Sequence, residues 1–391
     1  MPAPDSGATT PPAAPLPVQR HLFEIPDDVA YFNCASVSPQ LRAAREAGEA
    51  AMRRRARPWL IGTDQWFTEV EERRTLFARL VGVDADGVAL VPATSYGLAV
   101  AAANLTAAPG QRVLLLAGEF PSSYYTWQAF ARRTGATVTT VERRDGQTWA
   151  EAIRDALDER AAVVTVPAAH WTDGAAVDLD TVAPLVRAAG AALVVDASQS
   201  VGALPLDLGA IQPDFLVTVG YKWLLGPFGL GYLYIAERHR DGAPIEDNWI
   251  NREGSQDFAR LDYQDTYQPG ARRFDVGQHS HFETTPMAIA ALRQLLDWGV
   301  PRVAATLART TARIEEEVSA HGLTLTSSDR RPNLLGIRLP ARAQRRVAAA
   351  LAEAGVFVGV RGPAVRVSPH LWTTEEDIAR LVGTLAVAVP G

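Results

Sequence analysis

The chain has 391 residues, 47% hydrophobic and 21% charged, which suits a globular protein of two or three structural units sharing cores. A formal net charge of −6, with no basic stripe beyond Arg53–Arg57, argues against a nucleic-acid binder, and Cys34 as the single cysteine excludes an intrachain disulfide and a cysteine-built zinc site. No apolar run is long enough to span a membrane, and the Pro/Ala/Thr-rich N-terminus lacks the basic start and apolar centre of a secretory signal, so the simplest expectation is a cytoplasmic protein with no membrane partner.

Residues 1–20 are expected to form a disordered tail, and residues 21–60 an N-terminal segment. Tyr31–Pro39 predicts a short strand and turn. Helical patterns follow at about Pro39–Arg57 and Trp66–Val81. Val88–Pro92 then runs into the turn Ala93–Gly97, which opens an alanine-rich helix to about Leu105. From there apolar strands at Val113–Ala117, Thr137–Val141, Ala162–Val166 and Ala191–Asp196 alternate with helices at Pro121–Arg133, Trp149–Glu159 and Leu179–Ala189. These strands are apolar on both faces, as in a parallel sheet covered by helices. Adding Asp214–Val219 and Gly229–Ile235 makes about seven strands, and residues 61–284 are assigned to one large α/β domain.

The segment 247–282 is polar and aromatic without a period. A stretch this long without structure inside a compact protein is usually functional. Residues 285–391 read as a small α+β domain. Its helices are expected at about Pro286–Trp298, Pro301–His321, Ala341–Ala354 and Thr374–Ala386, and its strands at Asn333–Leu339, Val356–Val360 and Ala364–Ser368. The helix at 39–57 is expected to pack with this part.

Lys222 is the only lysine; the remaining 37 of the 38 basic residues are arginine. A guanidinium stays protonated, whereas a buried ammonium loses its proton readily and then becomes a nucleophile able to form a Schiff base. Lys222 follows an apolar strand and precedes the turn Gly226–Pro227, at the carboxyl edge where α/β sheets place their ligands. Asp196 ends another buried strand. Its carboxylate calls for a cationic partner, and a protonated pyridine nitrogen would be one. Thr94 and Ser95 stand where a strand turns into a helix, a natural phosphate site. Phe120 lands at the same edge, as does the pair His170 and Trp171. Arg366, inside an apolar strand, suits capture of a carboxylate. His279 and His281 alternate in a polar loop, where solvated or interface histidines are more common than a metal pair, and no metal site is expected.

The pattern Asp196-Ala197-Ser198-Gln199, followed by Gly220-Tyr221-Lys222 and Gly226-Pro227, resembles the class V aminotransferase group of fold-type I pyridoxal-phosphate enzymes. That group also holds cysteine desulfurases, kynureninases and isopenicillin N epimerase. The resemblance runs from about Tyr31 to Ala386. It implies a mainly parallel sheet with helices on both faces, a homodimer with active sites at its interface, an amino-acid substrate and pyridoxal 5′-phosphate as cofactor. By this resemblance Lys222 carries the cofactor and serves as base, Asp196 pairs with the ring nitrogen and Gln199 bonds the ring hydroxyl. Thr94, Ser95 and Tyr221 reach the phosphate, and Phe120 stacks on the ring. The segment Arg273–Gly277 crosses to the partner's phosphate, and Gln278 stands where the family has threonine. Arg366 binds the substrate carboxylate, and the segment containing Asn33 and Cys34 approaches the substrate. The desulfurase nucleophile, a cysteine of the C-terminal half, has no counterpart. Transamination at the α-carbon is therefore favoured slightly over a kynureninase-like or other β-lyase and an epimerase, with a binding module that merely retains the fold as the non-enzymatic alternative.

Overall fold

The computed structural model describes residues 13–340 and 343–389. A short strand β1 (Ala30–Tyr31) leads to α1 (Arg42–Arg55) and α2 (Thr68–Val81), and then to β2 (Val88–Val91) and α3 (Thr94–Asn104). The alternating part comprises β3 (Arg112–Leu116), α4 (Pro121–Thr134), β4 (Thr137–Val141), α5 (Trp149–Ala156), β5 (Ala161–Pro167), α6 (Leu179–Ala188), β6 (Ala192–Asp196), α7 (Leu208–Ile211), β7 (Phe215–Val219) and β8 (Gly231–Ile235). These seven strands, β2 to β8, form one sheet in the order β2-β8-β7-β6-β5-β3-β4. The pairings β4 to β3, β3 to β5, β5 to β6 and β6 to β7 are parallel, while β8 runs antiparallel between β7 and β2. The expected α/β architecture is borne out. The antiparallel strand follows from chain length. Only Gly220–Leu230 separates β7 from β8, too few residues for a crossover helix, so the chain must turn straight back.

The C-terminal part comprises α8 (Thr285–Trp298), α9 (Val300–Ala320), β9 (Leu335–Arg338), α10 (Gln344–Glu353), β10 (Val356–Phe357), β11 (Gly359–Arg361), β12 (Ala364–Val367) and α11 (Glu375–Ala388). The strand expected over Val356–Val360 is in fact two. β10 pairs in parallel with β1, and after Val358 the chain joins the antiparallel sheet β11-β12-β9. β10 thus binds the N-terminal segment to this part of the molecule. α8 packs on α1 and α2, with Leu292, Leu295 and Trp298 in the same core as the large sheet. A second core gathers around Leu335, Ile337, Val347, Val365 and Leu381. α9 serves both, with Val303 and Leu307 in the first and Ile314 and Val318 in the second.

The N-terminal expectations need two corrections. Residues 13–20 are not a free tail. Leu16 is buried and its amide donates to Thr306 Oγ1 on α9 at 2.8 Å, while the Gln19 amide donates to the Leu371 carbonyl at 2.7 Å. The rest of the expected tail lies outside the described residues. α1 starts at Arg42 rather than near Pro39, because Leu41 is still extended and bridges Phe23.

Leu16→Ala should lower stability by about 2–5 kcal/mol, the usual cost of a buried leucine, measured by denaturant melts. A surface anchor would give less than about 0.5 kcal/mol.

Candidate active site

The carboxyl ends of β5, β6 and β7 and the start of α3 surround a cleft of about 690 Å³. Asp196, Gln199, Tyr221, Lys222, Thr94, Ser95, Phe120 and Trp171 all line it, so residues up to 128 positions apart in sequence meet in one place.

Lys222 sits in a tight loop. The Gly220 amide donates to Leu230 O at 2.7 Å and the Gly226 amide to Gly220 O at 2.8 Å. A Cβ at Gly226 would come within 3.2 Å of Gly220 O, which is why a glycine closes the loop. The Ser38 amide ties the N-terminal segment to the Tyr221 carbonyl at 2.9 Å. The Lys222 ammonium lies 5.7 Å from the centroid of the Phe120 ring and 5.8 Å from that of Tyr221. Lys222 as a residue is only half-buried, but its amine end is enclosed. Burial lowers its pKa to about 8; Asp196 opposes the shift, while Arg366 and Arg361 add to it.

Asp196 is buried, and its Oδ1 accepts from the Ser198 amide at 2.9 Å. The Ser198 hydroxyl shares a 3.0 Å hydrogen bond with Thr94 Oγ1, linking the end of β6 to the first turn of α3. Ala93 caps that helix, and the 3.1 Å bond from the Tyr96 amide returns to its carbonyl, so the first two amides of the helix lie ahead of its ladder. Gln199 is clamped: its Nε2 donates to Ala35 O at 3.0 Å and its Oε1 accepts from Trp223 Nε1 at 2.9 Å. One amide hydrogen of Gln199 is thereby left for a third partner. Tyr221 packs its ring 4.3 Å from that of Phe228, and burial followed by Asp196 pushes its phenol up.

Phe120 caps α4 and meets Trp171 edge to face at 5.4 Å. Trp171 is fixed by its Nε1, which donates to Gly118 O at 2.7 Å. Its carbonyl accepts from Arg366 Nη1 at 2.8 Å, and Arg366 Nη2 reaches Asn33 Oδ1 at 3.5 Å. Arg366 is 1% exposed, its Nε has no hydrogen-bond partner, and burial, then Arg361, lower its pKa to about 9. Among the described residues it pairs with no carboxylate, an arrangement that a buried cation tolerates poorly until an anion arrives.

One expected residue is placed differently. His170 does not face the cleft. Its Nε2 is 3.1 Å from Ala117 O, its Nδ1 2.7 Å from Thr172 Oγ1, and its ring stacks on Trp149 at 5.8 Å. The strand has already ended at Pro167, and the pair His170-Trp171 sits in a turn closed by the Gly174 amide on the His170 carbonyl at 2.8 Å, which sends Trp171 into the cleft and its neighbour away. Gln278 is exposed and outside the cleft of its own chain. Its loop is anchored by Asp275, buried and bidentate to Arg74 at 2.6 and 3.1 Å. Cys34 is fully buried, and burial pushes its thiol well up, the reverse of what a nucleophile needs. No cluster of three or more metal-binding side chains occurs among the described residues.

Glu119 joins the cleft although no motif marks it. Its Oε1 accepts from the Phe120 amide at 2.7 Å, and the carboxyl is enclosed although the residue is half-buried. Burial raises its pKa to about 8, and nearby Asp196 adds to the rise. Glu119 is thus a carboxyl that burial, more than its acidic neighbour, holds toward the protonated form.

The lowered pKa of Lys222 has a consequence for stability. The unfolded chain binds more protons than the folded one between about 8 and 10.5, so this residue makes stability rise with pH across that window. Lys222→Met should remove the rise, on the order of 2 kcal/mol, in denaturant melts of the cofactor-free protein at pH 7.5 and 10.5. Parallel pH profiles for variant and wild type would contradict an enclosed amine.

The aminotransferase class-V family model matches residues 62–381. Among curated relatives, an uncharacterised aminotransferase, YcbU, of Bacillus subtilis is 29% identical over 81% of this chain and 83% of its own. A kynureninase of Deinococcus radiodurans is 29% identical over 72% of this chain and 68% of its own. Among solved structures, a mutant of C-DES with glycine covalently linked to its PLP cofactor superposes with a TM-score of 0.85 at 19% identity, covering 94% of this chain and 98% of the other. A cysteine desulfurase from Thermococcus onnurineus superposes at 0.80 with 20% identity, covering 96% and 99%. The resemblance read from Asp196–Gln199 and the lysine loop is borne out: the chain belongs to the aminotransferase class-V family.

Proposed function

We propose that the protein is a pyridoxal-phosphate-dependent enzyme acting at the α-carbon of an amino acid, with transamination as the favoured outcome. The observation that carries this reading is the meeting of an enclosed lysine of lowered pKa with a buried strand-end aspartate in one cleft beside a helix N-terminus. The cleft fits the cofactor. Thr94, Ser95 and the first amides of α3 suit its phosphate, the clamped Gln199 amide suits its ring hydroxyl, and Phe120 offers a flat face. The family, and the PLP named for the C-DES structure, support the same cofactor.

When bound, pyridoxal phosphate supplies an electron sink for the charge left at the α-carbon. The chain's own side chains do the rest. The lowered pKa of Lys222, about 8, brings its free-amine form within reach near neutral pH, so Nζ can attack a carbonyl and accept a proton there. Asp196 holds a proton on the pyridine nitrogen by charge. Arg366 holds the substrate carboxylate, with Asn33 and the Trp171 carbonyl fixing its fork. Phe120 and Trp171, edge to face, give the cleft an apolar side. A β-lyase is the second reading, favoured by the kynureninases among the relatives and by Phe120 and Tyr221 in the cleft. Persulfide formation on Cys34 is disfavoured by its buried, high-pKa thiol. We propose further that a second copy completes each active site, a reading that the exposure of Gln278 on its own copy allows.

Added pyridoxal phosphate should give a yellow protein, and borohydride should fix the cofactor to the peptide carrying Lys222. Lys222→Arg should abolish fixation and lower turnover by at least about 10³-fold, because guanidinium keeps the charge but cannot give up its proton. Retention of turnover by that variant would sink the mechanism. Production of an oxoacid without ammonia, set against release of a side-chain fragment, separates transaminase from lyase.

A further inference from the structure

Arg366 has a neighbour of the same charge on the same surface. In the antiparallel hairpin β11-β12, Gly359 lies opposite Arg366 and Arg361 opposite Ala364. Side chains alternate along a strand, so Gly359, Arg361, Ala364 and Arg366 all point to one face. Arg361 and Arg366 are diagonal neighbours on it, with backbones roughly 7–8 Å apart. Gly359 leaves that face open, since a Cβ there would stand 3.1 Å from Arg366 Nε and 3.3 Å from Asn33 Oδ1.

Both guanidinium groups then converge on Trp171, which lines the cleft. Arg366 takes its carbonyl at 2.8 Å, and Arg361 Cζ lies 5.5 Å from the centre of its ring. The two cations thus meet different parts of one tryptophan, its backbone carbonyl and its ring. Among the described residues neither pairs with a carboxylate, and the Nε atoms of both are buried without a hydrogen-bond partner. Arg74 and Arg272 are by contrast matched with acids, Asp275 for the first and Glu71 and Asp86 for the second, whereas buried Arg73 is held by Thr285 and the His279 carbonyl. Two unbalanced cations beside Lys222 repel each other until anions arrive, which is also the sense of the lowered Arg366 pKa.

We propose that Arg361 is a second anion subsite, so that the substrate is an amino acid bearing a further carboxylate on its side chain. The α-carboxylate sits on Arg366 and the distal one on Arg361. This assignment rests on the reading of Arg366 as the α-carboxylate site, and the test separates the two.

Calorimetric titration of the cofactor-loaded protein at fixed ionic strength, with amine-free probes, decides it. Succinate, glutarate and adipate are compared with butyrate, valerate and hexanoate. At least one dicarboxylate should bind about tenfold tighter than the monocarboxylate of equal carbon number. Arg361→Gln should abolish that gain and leave monocarboxylate binding unchanged, Arg361→Lys should restore part of it, and Arg366→Gln should weaken both classes. Equal binding of the two classes by wild type, or equal weakening of both by Arg361→Gln, overturns the second subsite while leaving Arg366 in place. Failure of wild type to bind either class overturns both assignments.

Discussion

The structure depends on a charge imbalance held away from water. Lys222 and Asp196 line one cleft with Glu119, whose pKa burial raises to about 8, and the charges of Arg366 and Arg361 are felt at Lys222 from behind Trp171. Burying an ammonium is unfavourable, and Asp196 offsets only part of the penalty. The amine therefore sits near neutrality in its proton affinity, which is the condition for a lysine that must be nucleophile and base in turn. A fully balanced pocket would hold the lysine permanently protonated, and an unbalanced one without Asp196 would leave no place for a ring cation.

The sheet makes the arrangement possible. β5, β6 and β7 are parallel, so their carboxyl ends share one edge, and each side chain beyond such an end meets its neighbours without any loop having to reach for it. The following loops then lock to one another. Gln199 is gripped from the N-terminal segment by Ala35 and from the lysine loop by Trp223, while Ser198 joins β6 to α3. Orientation is set before any ligand enters, as electrostatic preorganisation requires.

Much of this was readable in the sequence, because strand ends in a parallel sheet are where apolar runs stop. Lys222, Asp196, Thr94, Ser95 and Phe120 each follow such a run or its turn, and the cleft gathers them. What escaped reading depends on direction and on distant partners. The run His170-Trp171 shows no period that tells which member faces inward, and the answer came from Ala117 and Trp149, elsewhere in the chain. Glu119 looks like an ordinary polar loop residue until Asp196 is placed beside it. The first twenty residues have a disordered composition, yet Leu16 finds α9. Arg361 carries no local mark, since its meaning lies in the cross-strand register with Ala364 and Arg366.

α9 runs from one core into the other, with Leu307 in the first and Val318 in the second. It acts as a beam between a body that holds Lys222 and a body that holds the β11-β12 hairpin. The β11-β12 ladder fixes the backbones of Arg361 and Arg366 relative to each other. Their backbone separation is set by hydrogen bonds between two strands, while the loop that carries Lys222 packs in the other core. A ligand that reaches both forks is thereby measured against a strand register, and α9 is the element that spans the two cores on either side of it.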